Sequence, residues 1–311
     1  MSMETKSGSK EMARVVLIKA RNREDGVKRA LKALSINPVK GKKVVLKPNF
    51  NSSDPFPGST HNDTLAALIE NLQAMGAKSI TVADRSGMGD TRQVIEEKGI
   101  FDLGKRIGFE TVVLDELPQG RWVYHELRGS HWRRGVYFPR LFEEAEAIVQ
   151  TCCLKTHRFG GHITMSLKNT VGMVAKSSPR DGYDFMRELH SSPYQRLMIA
   201  EINQLYRPAL VLMDGLKAFV DGGPERGKVM EPGVIVAGTD RVAVDAVGVA
   251  ILKDLGSNRV VMGKKVFEQE QIYRAAELGL GVKGPEEIEV LTDDEEGEKY
   301  AIKLRGILQQ G

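Results

Sequence analysis

The sequence predicts an α/β protein with a mostly parallel sheet, flanking helices and two lobes. Short apolar runs alternate with segments whose apolar residues recur at helical spacing, and this alternation is typical of a parallel sheet. The length of 311 residues suggests one large domain or two lobes. The hydrophobic share of 41% and the charged share of 28% are ordinary for a folded protein and exclude wholesale disorder.

The first lobe is predicted over residues 12–115, after a polar tail, residues 1–11, that we expect to be flexible. Apolar runs of four or five residues predict its strands, which are 15–19, 43–47, 79–83 and 111–114. Apolar residues at helical spacing predict its helices, which are 25–34, 64–75 and 90–98.

Residues 116–140 break this alternation and predict a β insertion or linker that contains both tryptophans. The second lobe is predicted over residues 141–311. Its strands are expected at 147–152, 209–213 and 234–237, and its strongest helix at 240–255, with Thr239 as a plausible cap and Asp240 as the alternative. The acidic stretch near the end predicts a solvent-exposed hairpin over 289–304.

Polar side chains follow several of the predicted strands. Open α/β sheets bind their ligands at the carboxyl ends of the strands, so this position favours a functional role. Lysine can hold an anion there, and asparagine, serine and histidine can donate or accept hydrogen bonds. The predicted substrate-binding residues are Lys47, Asn49, His61, Lys155, Ser166 and Asn169.

The densest group of such side chains lies within residues 155–169. Imidazoles transfer protons near neutral pH, and lysines beside them bind carboxylates or phosphates. We therefore predict that His157, His162 and Lys168 are the catalytic residues.

Three aspartates, Asp84, Asp214 and Asp221, also follow predicted strands, where they would orient the catalytic groups or hold a divalent metal ion. Two adjacent cysteines, Cys152 and Cys153, cannot supply the four thiolates of an iron–sulfur cluster, so no such cluster is expected. Buried thiols are the favoured interpretation, and a redox accessory is the alternative.

The order of short motifs resembles the domain-of-unknown-function 362 (DUF362) family. The resemblance covers roughly residues 14–255. The matching segments are LKPN at 46–49, the pair Thr60-His61, ADRSG at 83–87, LKTH at 154–157, SLKN at 166–169 with Gly172, GGP at 222–224 and DRVAVDAVG at 240–248. Many members of that family carry a cysteine-rich ferredoxin segment or an export signal, and this chain matches neither. The resemblance implies an α/β fold and assigns no reaction.

A weaker pattern is similar to the central segment of the nickel-pincer lactate racemase family. It consists of His157, Gly160, Gly161, Lys168 and Gly172. In that family histidines move protons at a carbon beside a hydroxyl group, and a lysine carries the cofactor. Because the spacing differs here, racemase or epimerase chemistry is an alternative by analogy only.

The leading hypothesis is a cytoplasmic enzyme that acts on a small carboxylate or phosphate by lysine and histidine acid–base chemistry, with or without a metal. The net charge of +4 is too small to indicate a nucleic acid by itself. Segment 121–140 interleaves arginine with aromatic residues, so a non-catalytic nucleic-acid or anion binder is the second hypothesis.

The sequence contains no signal peptide and no run of about 20 apolar residues, so we expect no membrane contact. Whether the chain is an enzyme, and whether it forms a homo-oligomer, stays open at this stage.

Overall fold

The computed structural model of the protein describes residues 12–310, so the predicted tail 1–11 lies outside the described residues. Within that range the strands are β1 (Ala13–Lys19), β2 (Lys43–Lys47), β3 (Ser79–Asp84), β4 (Glu110–Val113), β5 (Trp122–His125), β6 (Val136–Pro139), β7 (Ala147–His157), β8 (His162–Thr164), β9 (Leu210–Gly222), β10 (Gly227–Met230), β11 (Val234–Gly238) and β12 (Ile288–Leu291). The α-helices are α1 (Arg23–Leu34), α2 (Asn62–Ala74), α3 (Thr91–Glu97), α4 (Ile100–Ile107), α5 (Arg140–Glu143), α6 (Ser166–Asn169), α7 (Phe185–Ser191), α8 (Gln195–Glu201), α9 (Arg241–Asp254), α10 (Arg259–Met262), α11 (Glu270–Glu277) and α12 (Glu295–Gln310).

Ten of these strands form one sheet, whose main path runs β12-β1-β11-β9-β7-β2-β3-β4. Strand β11 is antiparallel to both of its neighbours, and every other neighbouring pair on this path is parallel. Strands β8 and β10 pair with the far ends of β7 and β9. The predicted fold class, a mostly parallel α/β sheet with flanking helices, is confirmed.

The sheet includes strands from both of the predicted lobes. Strand β1, from the first predicted lobe, lies between β11 and β12 of the second. The division into two units at residues 115 and 141 stays a prediction, but the strands of the two segments share hydrogen bonds.

Strand β7 is the longest element next to the site and is buried along its whole length of eleven residues. The sequence predicted a strand only to residue 152, because polar residues begin soon afterwards. The polar end continues as a strand because it pairs on one side with β9 and on the other with β8. Side chains from Lys155 to His157 are therefore held on a rigid element.

The predicted β insertion is present as the antiparallel pair β5 and β6. Its tryptophans do not face solvent: Trp122 and Trp132 are buried in a cluster with Phe138 and Phe142. The indole Nε1 of Trp132 donates to the carbonyl oxygen of Met198 at 3.0 Å. These rings are thus core residues of the molecule.

Helix α9 is enclosed by the rest of the protein, with twelve of its fourteen residues buried. Of the two candidate caps that the sequence offers, Thr239 is wrong. Asp240 is the cap, because its Oδ1 accepts hydrogen bonds from the backbone N–H groups of Val242 and Ala243 at 2.8 and 2.9 Å.

The predicted acidic hairpin over 289–304 is wrong. The structure has the short strand β12, parallel to β1, followed by helix α12. Acidic residues in the first turn of α12 favour a helix, because negative charge stabilises the positive end of the helix dipole. Ala301, Leu304 and Leu308 supply a buried face at helical spacing.

None of the helices within residues 12–310 is both long enough and apolar enough to pass through a membrane.

Candidate functional site

The parallel strands β2 and β3 end side by side with an ion pair between their last residues. The Nζ of Lys47 lies 2.6 Å from Oδ1 of Asp84, and both side chains are buried. Lys47 also donates to Oδ1 of Asn169 at 3.0 Å, while Asp84 accepts from the backbone N–H groups of Phe50 and Arg85. Burial lowers the pKa of Lys47 and raises the pKa of Asp84, whereas their mutual attraction acts in the opposite direction. Lys47 and Asp84 therefore neutralise each other, and the ion pair has a structural role at the site.

A small cavity of about 40 Å³ lies beside this ion pair. Three polar atoms among its lining residues are buried and find no hydrogen-bond partner among residues 12–310: Asn49 Oδ1, Asn51 Nδ2 and Thr164 Oγ1. Buried polar atoms are normally paired, so unpaired ones in a group indicate a place where a small polar group can bind. A Cβ on Gly172 would lie 2.8 Å from Lys47 Nζ, so only glycine fits against the ion pair there.

A larger cavity of about 390 Å³ adjoins the small one. The two cavities share lining residues, among them Asn51, Arg85 and Lys168. Apolar side chains such as Met88 and Phe159 line other parts of the larger cavity. It therefore combines polar groups at its inner end with an apolar wall, as pockets for small molecules usually do.

Lys168 is held in this cavity by the short helix α6. Asp245 of α9 accepts hydrogen bonds from the backbone N–H groups of Ser166 and Leu167 at 2.8 and 2.9 Å, which fixes the start of α6. Within residues 12–310 the Nζ of Lys168 has no hydrogen-bond or ion-pair partner. Burial, then the nearby charges of Lys155 and Arg85, lower the pKa of Lys168 to about 7. Its amine is thus about half neutral near pH 7.

His157, the last residue of β7, lies beside Lys168. A Cβ placed on Gly161 would lie 2.8 Å from Lys168 Cε and 3.0 Å from His157 Nδ1, so the two side chains meet over this glycine. The Nδ1 of His157 is buried and has no hydrogen-bond partner in the described part of the chain. Burial first, and Lys168 next, hold the pKa of His157 well below its usual range. The imidazole is therefore neutral, and it serves as a hydrogen-bond donor or acceptor more readily than as a base.

The charge around the larger cavity is mainly positive. The buried guanidinium of Arg85 donates to the carbonyl oxygens of Val171, Val174 and Ser86, and it pairs with no carboxylate of residues 12–310. Lys155 is also buried and donates to carbonyl oxygens. Cations without a paired carboxylate create a potential that attracts an anion.

The sequence matches the family model described as "Domain of unknown function (DUF362)" over residues 44–250, which is more than half of the chain. The chain belongs to the DUF362 family. The resemblance expected from the sequence motifs is thus confirmed. The matched range includes every residue of the two adjoining cavities.

A relative of this DUF362 protein is the "Thylakoid-associated protein sll1697" of Synechocystis sp. (strain ATCC 27184 / PCC 6803 / Kazusa), which is 26% identical over 216 residues. The match covers 68% of this chain and 64% of that protein, so the chain spans less than two thirds of its length. A crystal structure of a protein from Thermotoga maritima is similar with a TM-score of 0.43 and 14% identity, over 70% of this chain and 55% of that one.

Two of the predicted site residues of the DUF362 protein, His61 and Asp214, lie in another polar cluster. His61 caps α2, where its Nδ1 accepts from the backbone N–H of Asp63. Asp214 is buried, pairs with Arg23 at 2.8 Å and accepts from the hydroxyl of Thr64. Neither residue lines the two cavities.

Three further predicted residues also lie away from the cavities. His162 Nδ1 is 3.6 Å from a carboxylate oxygen of Glu270. Ser166 is buried, and its hydroxyl donates to the carbonyl oxygen of Arg241. Asp221 is exposed and accepts from the backbone N–H of Gly222 at 2.9 Å.

The predicted metal ligands Asp84, Asp214 and Asp221 are therefore not brought together. Asp84 is committed to Lys47, and Asp214 to Arg23. Within residues 12–310 no group of three or more His, Cys, Asp or Glu side chains is arranged to hold a metal ion. The residues present do not fit a metal centre built on these aspartates.

Sequence reasoning missed two further side chains that line the larger cavity, the guanidinium of Arg85 and the imidazole of His190. Arg85 directly follows β3, so its position at a strand end was a usable signal. His190 lies on α7, and no sequence pattern links that helix to the sheet. The pKa of His190 is lowered by burial first and by Lys168 among other groups, which places it in the same electrostatic environment.

The adjacent cysteines are buried free thiols within β7, as the favoured interpretation predicted. Burial raises the pKa of Cys152 and raises that of Cys153 to about 11. A thiol is reactive as its thiolate, so both cysteines are poorly suited to redox chemistry.

Proposed function

We propose that this DUF362 protein is an enzyme that binds a small carboxylate or phosphate in the larger cavity and acts on it through Lys168 and His157. The observation that carries the proposal is the meeting of these two side chains over Gly161. Neither Lys168 Nζ nor His157 Nδ1 is hydrogen-bonded to any residue that the structure describes. Unpaired polar groups at a cavity wall are costly for stability, so a role in ligand binding explains their presence.

The anionic class of the substrate follows from the charges at the cavity. Arg85 and Lys168 line it, and Lys155 lies close enough to lower the pKa of Lys168. Asn51, with its unpaired amide nitrogen, can donate to an oxygen of the same anion.

The predicted roles of several residues change in this proposal. Lys168 keeps its predicted catalytic role and is the main acid–base group, because an amine with a pKa near the working pH transfers protons most effectively. His157 positions the substrate or relays the proton as a neutral imidazole. Lys47, Asn49, Lys155 and Asn169 form the support behind the cavity.

The proposal predicts a measurable affinity for small anions that depends on Lys168. Isothermal titration of the purified protein with L-lactate and with inorganic phosphate should detect binding of at least one. Lys168→Met should weaken that binding about tenfold or more, which corresponds to about 1.4 kcal/mol. Lys217→Met is the matched control, because it removes the same charge from an exposed lysine paired with Glu231 and should leave affinity unchanged.

Equal weakening by both substitutions would mean that only the overall charge matters, and the site assignment would then be wrong. An absence of binding to every small carboxylate and phosphate tried would contradict the proposed substrate class. Circular dichroism of Lys168→Met should match the wild type, so that a loss of affinity reports on the site.

The alternative of a nucleic-acid binder has less support. Trp122, Trp132 and Phe138 are buried, so the interleaved segment offers fewer rings for stacking on bases than the sequence suggested. No observation favours racemase or epimerase chemistry over other proton transfers. We expect the chain to act in the cytoplasm, and cell fractionation would test this against the thylakoid association in the name of the Synechocystis relative.

A further inference from the structure

We propose that Lys168 forms an imine with the carbonyl group of its substrate, so that the substrates are small oxo acids such as 2-oxo carboxylates. This inference rests on the proposed binding of small anions in the same cavity. It adds a second feature to the substrate, a reactive carbonyl, and a covalent step to the mechanism.

The first argument is that Lys168 differs from the other lysines at the site. Lys47 is paired with Asp84, Lys155 donates to backbone carbonyl oxygens, and Lys176 is paired with Asp115 at 2.8 Å. Lys168 lines both cavities, and its amine has no partner within the described residues. A lone pair on this nitrogen is therefore free to attack a carbonyl carbon in the cavity.

The second argument is that the surroundings keep the amine neutral enough to react. The pKa of Lys168 is lowered to about 7 by burial first and then by Lys155 and Arg85. Desolvation and neighbouring cations are the means by which proteins activate lysine as a nucleophile. An exposed lysine, with a pKa near about 10.4, is almost fully protonated at pH 7.

The third argument is that the cavity has side chains able to bind both the carbonyl oxygen and the carboxylate of an oxo acid. His157 Nδ1 lies beside the Lys168 side chain and can exchange protons or hydrogen bonds with the carbonyl oxygen. The unpaired amide nitrogen of Asn51 and the charge of Arg85 suit the carboxylate.

The step is balanced without an oxidant or a reductant. The nitrogen of Lys168 bonds to the carbonyl carbon, and the carbon–oxygen bond of the carbonyl breaks. The oxygen leaves as water with the two hydrogens of the neutral amine. Hydrolysis returns the free lysine.

Reductive trapping tests the imine directly. The full chain is incubated with pyruvate or glyoxylate and sodium cyanoborohydride, which reduces an imine to a stable secondary amine, and the modified residue is located by peptide mass spectrometry. We expect a saturable adduct on Lys168 whose yield rises as the pH increases through about 7. Lys168→Arg keeps the charge and should abolish the adduct. Lys176→Arg, which replaces the ion-paired lysine of the same cavity, should retain it.

Labelling spread evenly over exposed lysines, or unchanged by Lys168→Arg, would overturn the imine. Titration with L-lactate, which has no carbonyl group able to form an imine, separates this result from the proposed function. If lactate binds and no adduct forms, the imine is wrong and the anion site stands. If neither lactate nor phosphate binds and no adduct forms, the proposed function fails together with the imine.

Discussion

Lys47 and Asp84 form an ion pair in which both side chains are only 1% exposed, with 2.6 Å between Nζ and Oδ1. Burying two charges costs a large desolvation free energy, which their attraction and their hydrogen bonds offset only while both are present. Removing either Lys47 or Asp84 alone should therefore destabilise the structure around the site.

Lys47→Met should lower the free energy of unfolding by about 3–5 kcal/mol, because it leaves the carboxylate of Asp84 buried without its partner. Urea denaturation at neutral pH measures this change. The double substitution Lys47→Met with Asp84→Leu should be less destabilising than the sum of the two single substitutions. Arg92→Met, at the exposed ion pair with Glu116, is the control and should change little. A similar effect at both ion pairs would contradict the assigned role of burial.

At the residue scale, the sequence predicted Lys47 and Lys155 as substrate-binding residues and Lys168 as a catalytic residue, but it could not tell which of the three amines is free. The structure separates them, because only Lys168 has a free amine among the three. That difference depends on which carbonyl and carboxylate groups other segments bring nearby, such as Pro224 beside Lys155. The residues next to each lysine in the sequence do not reveal whether its amine has a partner in the fold.

At the element scale, the hairpin of β7 and β8 positions the two proposed functional groups. The turn between these strands includes Gly161, whose missing side chain leaves room for Lys168 Cε and His157 Nδ1. The hairpin therefore extends the sheet and also determines how the side chains of Lys168 and His157 are placed.

Gly161→Ala should weaken lactate or phosphate binding about tenfold, because the new methyl group would occupy the space of both side chains. The backbone angle of this residue does not require glycine, and the flexible Lys168 side chain can move, so the urea midpoint should shift little. Gly120→Ala, where an added Cβ meets nothing within 4 Å, is the control. Unchanged affinity in Gly161→Ala would show that the packing of this pair is unimportant for binding.

The sequence predicted an element well where its own apolar residues are regularly spaced. It predicted an element poorly where contacts with distant segments decide which residues are buried. Helix α2 and strands β2 and β3 lie close to their predicted ranges, because their own residues alternate or recur clearly. The predicted hairpin at 289–304 failed because its apolar residues are sparse among acidic ones, and the buried face of α12 extends beyond that range to Leu308.

At the scale of the whole molecule, the sheet links distant parts of the chain. Strand β1 lies between β11 and β12, so its backbone hydrogen bonds depend on residues from Val234 onward. Strand β9 likewise joins β7 to β11. A segment cut at the predicted lobe boundary would lack partners for its central strands.

Fragments 1–140 and 141–311, each expressed alone, should therefore be largely unfolded, and the full chain should unfold in a single transition. Circular dichroism of the fragments, together with urea denaturation of the full chain followed by tryptophan fluorescence and by circular dichroism, would test this expectation. A folded fragment, or two transitions that differ between the probes, would instead support two separate lobes.

The position of β1 also has a consequence during synthesis on the ribosome. The apolar run Val15–Ile18 is made early, but its first partner, β11, begins more than two hundred residues later. Chains are synthesised at about 5–20 residues per second, so the backbone groups of this segment stay unpaired for roughly 10 to 40 seconds. Such a segment is able to pair with other chains during that time. We therefore expect production of this protein in cells to depend on chaperones that cover the emerging strand, even though the finished fold hides it completely.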